Sequence, residues 1–112
     1  MNLDDISLIT SEEDLRALHH VPMSRSTDKV IRHLDKHCRA ILELAPFCVL
    51  STQGPGGADV SPRGDPPGFI RALDDQTVLL PDRVGNNRLD AFVNILANPR
   101  VGLLVIVPGM GE

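Results

Sequence analysis

The spacing of apolar positions divides the chain into a helical first part and a strand-rich remainder. In "TSEEDLRALHH" a hydroxyl residue, Thr10 or Ser11, stands three positions before an acid, Glu13 or Asp14, the pattern of a capping box, and Pro22 ends the short helix that follows. "SRSTDKVIRHLDKHCRAILELAP" predicts a longer helix with Ser26 as its cap and Asp28 at the positive end of its dipole. Val30, Leu34, Cys38, Ile41 and Leu42 recur along it as one apolar stripe, and Pro46 closes it.

After Pro46 the period shortens. "FCVLST" reads as a strand, "QGPGGA" as a turn and "DVS" as a brief extended return. "PRGDPPG" cannot be a regular central strand, because its three prolines lack the N–H a ladder needs. "FIRAL", "DDQ" and "TVLL" predict strand, turn and strand, and "NNRLDAFVNILANP" a helix with Leu89, Phe92, Val93 and Leu96 on its apolar face. "VGLLVIV" is a continuous apolar strand, expected at the centre of the sheet, and "PGMGE" a final turn. The pattern therefore predicts a helical arm over residues 1–45. An α+β domain follows over 46–112, mainly β, an antiparallel sheet of short strands with one inserted helix. Such a sheet curls most simply into a barrel, which four or so strands leave open. The missing edge is expected from a partner chain, from further strands or from the arm.

Composition narrows the picture. The 112 residues are 42% hydrophobic but only 3% aromatic, with no Trp or Tyr, so the core must be mostly Leu, Ile and Val. A formal net charge of -4 offers no general attraction to nucleic acid, and any anion site must be local. Cys38 and Cys48, ten apart and without metal-type spacing, read as reduced thiols of a cytoplasmic protein. Met1 to Asp14 carries five acids and no long apolar run, unlike a signal peptide. Leu103 to Val107 falls far short of the roughly 20 residues of a membrane span, so a soluble chain is expected. His33 and His37 stand four apart beside Cys38, but with no third ligand in reach by spacing they read as surface histidines rather than a metal site. His19 and His20, at the end of the short helix, suit its dipole. No cysteine lies in a pattern that suggests an activated nucleophile, and no catalytic residue can be named.

Two stretches carry candidate chemistry. In "GNNRLD", Asn87 as helix cap puts Arg88 at the first helical position and Asp90 at the third. A cation there opposes the dipole at a cost of a few tenths of a kcal/mol, up to ~1. Either Arg88 faces solvent or pairs with Asp82 or Asp90, or an external phosphate sits on the helix N-terminus. In "DVSPRGDPPGF", the Ser61 hydroxyl and Arg63 guanidinium lie among rigid or permissive backbone positions, Pro62, Gly64, Pro66, Pro67 and Gly68. Arg63 offers a planar fork suited to phosphate; its alternative is a solvated loop in which it pairs with Asp59 or Asp65. Both stretches follow short strands, and two neighbouring strands would bring Arg63 and Arg88 onto one phosphate.

"PFCVLSTQGPGGADVSPRGDPPGFI" and "VLLPDRVGNNRLDAFVNILANPRVGLLVIVPG" resemble the FMN-binding split-barrel superfamily, and within it a bacterial branch of the pyridoxamine 5'-phosphate oxidase-like proteins. "HLDKHCRAIL" is similar to the branch's leading helix, so the resemblance runs from about residue 10 to the end. It implies an antiparallel split β-barrel that forms a homodimer, with FMN in a cleft between the subunits. It further implies that Ser61, Pro62 and Arg63 run along the flavin and that Asn86, Asn87 and Arg88 hold the phosphate. Asp82 and Arg83 would contact ribityl and phosphate. The charge awaited by Arg88 would then be the FMN phosphate, which arginine binds by charge-assisted hydrogen bonds. Family domains continue with further strands beyond the point matching Glu112, so the chain corresponds to the N-terminal portion of the family domain. The arginine-containing C-terminal motif with which the oxidase proper recognises its pyridoxal-type substrate has no counterpart here, and pyridoxamine phosphate oxidation is not implied. The expected function is that of an FMN-binding flavoprotein, an oxidoreductase exchanging hydride with a small organic molecule or a nicotinamide. The alternatives are a non-catalytic flavin-binding protein and a cofactor-free dimeric fragment.

Overall fold

The structure, a computed structural model, describes residues 2–83 and 89–111. It contains two compact units, Met1–Ile31 and Arg32–Glu112. The first holds a 3-10 turn at Leu3–Asp5 and two short helices, α1 (Glu12–Ala17) and α2 (Ser24–Thr27), none of which buries a residue. Ser11 caps α1 as its sequence predicts, its hydroxyl accepting from the Asp14 N–H at 3.1 Å.

The long helix expected from Ser26 to Pro46 does not form. The stretch is split instead into the short α2 and, after a break, α3 (Lys36–Leu44), whose cap is Asp35, its carboxylate accepting from the Cys38 N–H at 2.8 Å. These hydrogen bonds hold the Asp35 carboxyl below the usual carboxylate range. The Leu34 N–H, which a continuous helix would give to residue 30, donates instead to the Asp75 carbonyl at 2.6 Å. The apolar stripe accordingly starts at Leu34, and Val30 is exposed.

In the second unit, β1 (Phe47–Gly54), β2 (Gly57–Gly64) and β5 (Gly102–Ile106) form an antiparallel sheet in the order β2-β1-β5. A separate hairpin pairs β3 (Arg71–Asp74) with β4 (Thr77–Leu79), and α4 (Asp90–Ala97) precedes β5. The unit is thus helices with antiparallel sheets, and no closed barrel forms among the described residues. The apolar run of β5 is not central: β1 is, with β5 on one flank and Leu104 exposed. Hydrophobicity alone misplaced it, because its second face meets no layer among the described residues. β2 continues past "DVS" through Pro62 to Gly64, which an edge strand tolerates because its outer N–H groups have no ladder partner to lose.

The core sits where α3 and the β3–β4 hairpin meet β1. Leu42, Cys48 and Ile70 are buried there, with Leu34, Phe69, Ala72, Val78, Leu80 and Val105 packed against them. Burying Leu42 or Ile70 contributes about 1.5–3 kcal/mol each. Arg39 bonds Asp75 at 2.8 Å, fixing the hairpin turn to α3. At the other end of α3 the Asp65 N–H donates to the Pro46 carbonyl at 3.1 Å, and the Gly68 N–H to Ala45 at 3.2 Å. Gly68 has a φ of 84° and packs against the Glu43 carbonyl, a conformation and a closeness that favour glycine.

Candidate functional site

The candidate site grows from the pairing of β1 with β2. The register sets Cys48 opposite Arg63, Leu50 opposite Ser61 and Thr52 opposite Asp59. Directly opposed residues share a face, so these six side chains lie on one side of the sheet. Burial agrees: Cys48, Leu50 and Thr52 are buried, while Asp59, Ser61 and Arg63 are half-buried between exposed neighbours. Pro62, opposite Val49, belongs to the other face. The structure therefore brings Ser61 and Arg63 together and sets Pro62 apart from them.

Arg63 is neither in a solvated loop nor paired with Asp59 or Asp65. Its guanidinium carbon lies 5.2 Å from the centre of the Phe92 ring, within cation–π range. Its Nε is buried without a hydrogen-bond partner among the described residues. A buried donor left unmatched costs about 1–3 kcal/mol, more when charged, and so points to a ligand that would satisfy it. Burial pushes the Cys48 thiol up, and the Arg63 charge across the strand pair pulls it partly back.

The stretch from Asp82 to Asp90 is described only in part. Asp82 and Arg83 leave β4 on the surface; Arg83 bonds Asp65, and Asp82 is exposed. Asn86, Asn87 and Arg88 lie outside the described residues. Helix α4 begins at Asp90, not beside an Asn87 cap, and its cap position is Leu89, at φ 61° with no side-chain cap bond. Asp90 is thus its first residue rather than its third, and the dipole argument built on Arg88 loses its geometry.

α4 also presents a different face from the one expected. Ala91 is buried and Asn94 and Ile95 half-buried, whereas Leu89 and Val93 are exposed and Leu96 is 88% exposed. The inward contact is polar: Asn94 Nδ2 donates to Thr52 Oγ1 at 3.1 Å. Gly54 leaves room for it, since a Cβ there would overlap the Asn94 carboxamide. Two residues of the site went unrecognised in the sequence. Phe92 reads as a core-face residue at helical spacing, whereas its ring lies against the Arg63 guanidinium. Asp65 reads in the sequence only as a partner of Arg63; the alternation Asp59, Ser61, Arg63, Asp65 is the signal that puts it on the same face.

His33 precedes α3, so it does not share a helix with His37 as the sequence suggested. Among the described residues no group of three or more His, Cys, Asp or Glu side chains is placed to hold a metal ion, and no helix is long and apolar enough to cross a membrane.

Residues 34–110 match the family model described as pyridoxamine 5'-phosphate oxidase. The chain belongs to the pyridoxamine 5'-phosphate oxidase family. The match spans α3 and every strand and takes in Ser61, Arg63, Asp65 and Arg83. It makes the chain a member of an oxidoreductase-like family that commonly binds flavin. No curated protein and no solved structure matches the chain.

Proposed function

We propose that the protein is an FMN-binding flavoprotein, a flavin-dependent oxidoreductase acting on a small organic molecule. In this reading it is a homodimer of split-barrel subunits with the cofactor in the cleft between them. The observation that carries the reading is Arg63: a guanidinium with a buried, unmatched Nε, inside the segment that matches a flavin-associated family. The donor set fits the ligand. Arg63 and Arg83 supply cationic donors for a phosphate, Ser61 adds a hydroxyl on the face of Arg63, and Phe92 packs against the Arg63 guanidinium. Asn86, Asn87, Arg88 and Asp82 join the proposed set on the strength of their motif. Pro62 would contribute rigidity from the opposite face.

Bound flavin supplies hydride or electron transfer, while the protein contributes binding and orientation. Arg63 would neutralise the phosphate, and the stacked geometry would hold its fork in one plane. The exposed Leu89, at the cap of α4, and Val93 and Leu96 within it support the dimer reading, because such a row would find cover against a second subunit. The purified protein is expected to be yellow or to take up FMN, and Arg63→Ala to weaken FMN binding about tenfold or more, as loss of a charge-assisted bond predicts. Bleaching by a reduced nicotinamide, with recovery in air, separates an oxidoreductase from a carrier of flavin. Absence of any flavin uptake by the intact chain would refute the proposal.

A further inference from the structure

The ion pair between Asp65 and Arg83 joins the two motif stretches, and its geometry is lopsided. Arg83 Nε donates to Asp65 Oδ2 at 2.5 Å, with the arginine side chain 68% exposed and the carboxylate 18% exposed. Asp65 is therefore the anchored member and Arg83 the presented one. Its mount is firm, because the Asp65 N–H is bonded to Pro46 and the Gly68 N–H to Ala45. The bond uses the Nε edge of the guanidinium; the terminal nitrogens have no partner among the described residues.

The strand alternation sets the direction. Asp59, Ser61 and Arg63 are half-buried between exposed neighbours, and Asp65 continues the alternation. Asp65 thus lies on the Arg63 side of the sheet and draws Arg83 toward that side. A pair with so exposed an arginine adds little stability, typically under ~1 kcal/mol. Its physical effect is orientation.

We infer that Asp65 is a positioning residue for phosphate recognition: it holds Arg83 by Nε so that the terminal nitrogens meet the phosphate of a phosphorylated flavin beside Arg63. This rests on the flavin reading above. Asp65 itself does not touch the ligand, since its carboxylate repels a phosphate. That repulsion gives the inference its sign. On charge alone, replacing Asp65 with a neutral residue strengthens phosphate binding; if Asp65 positions Arg83, the same change weakens it.

The test titrates the full chain with FMN and with riboflavin, which lacks the phosphate, by flavin fluorescence. Asp65→Asn is expected to weaken FMN about tenfold, the loss of one charge-assisted bond, and to leave riboflavin within about twofold. Arg83→Lys, which keeps the charge but loses the Nε donor, should behave alike. Asp65→Asn combined with Arg83→Ala should be no weaker than Arg83→Ala alone. The inference is overturned if Asp65→Asn binds FMN as tightly as the parent or more tightly, if both flavins weaken equally, or if the two changes add. Should Asp65→Asn fold poorly, as judged by melting temperature, Arg83→Lys decides by the same FMN-to-riboflavin ratio. A parent chain that binds neither flavin overturns the flavin reading and this inference with it; a parent that binds FMN beside an unchanged Asp65→Asn overturns this inference alone.

Discussion

Thr52 shows how one buried polar residue governs its surroundings. It is 4% exposed, and its hydroxyl accepts from Asn94 at 3.1 Å, the polar contact that seats α4 on β1. Thr52→Val keeps the shape but removes the acceptor, leaving a half-buried amide unmatched, which costs about 1–3 kcal/mol. Thermal unfolding should register the loss, and a variant as stable as the parent would show that solvent already satisfies Asn94. At this scale the sequence was partly legible. Ser61 and Arg63 stand out as candidate chemistry in a stretch rich in Pro and Gly that does not read as a regular central strand, and the register puts them on one face of β2. Phe92 does not, because an aromatic at helical spacing reads as core, and only the three-dimensional fold brings it under a guanidinium.

Among the elements, the strands and their turns followed from alternation and from Gly and Pro punctuation. The helices did not follow as well. The long helix expected from Ser26 breaks because Asp35 competes as a cap and Asp75 takes the Leu34 amide, a partner 41 residues away that local pattern cannot reveal. In α4 apolar residues occupy more than one side; periodicity favours the face of Leu89, Phe92, Val93 and Leu96, whereas the inward contact that forms includes Asn94. The two faces should respond differently to mutation. Ala91→Leu, at a buried position, is expected to lower stability by about 1–3 kcal/mol through overpacking. If the proposed dimer forms through α4, Leu96→Glu should leave the circular dichroism of the subunit intact while shifting the sedimenting species from dimer to monomer. If Leu96→Glu sediments as the parent does, α4 is not the surface that meets a second copy.

For the whole molecule, acid response follows from where the perturbed carboxylates sit. Hydrogen bonds from Cys38 hold Asp35 below its ordinary value of 3.8, and bonds from Gln76 and Thr77 do the same for Asp74. A depressed folded-state value means that the stabilisation is present above 3.8 and is lost as pH falls through the folded value. Both residues lie where α3 meets the hairpin, so the second unit should lose stability below about pH 4 at that junction. The double variant Asp35→Asn, Asp74→Asn keeps the hydrogen-bonding shape and should show a smaller fall in melting temperature between pH 6 and pH 3. An identical fall would assign the acid sensitivity elsewhere. The overall architecture, helices before an antiparallel sheet with an inserted helix, could be read from the order of periods along the chain. The central place of β1 could not, since strand order is set by pairings that hydrophobicity does not encode.

Gly54 carries a consequence that reaches beyond this one chain. Because a Cβ at that position would meet the Asn94 carboxamide unless that side chain moved away from Thr52, positions 54 and 94 are expected to vary together. Homologues that acquire a larger residue at the first should have traded the amide for a smaller group at the second. They should then also be free to drift at Thr52, whose hydroxyl would have lost its donor.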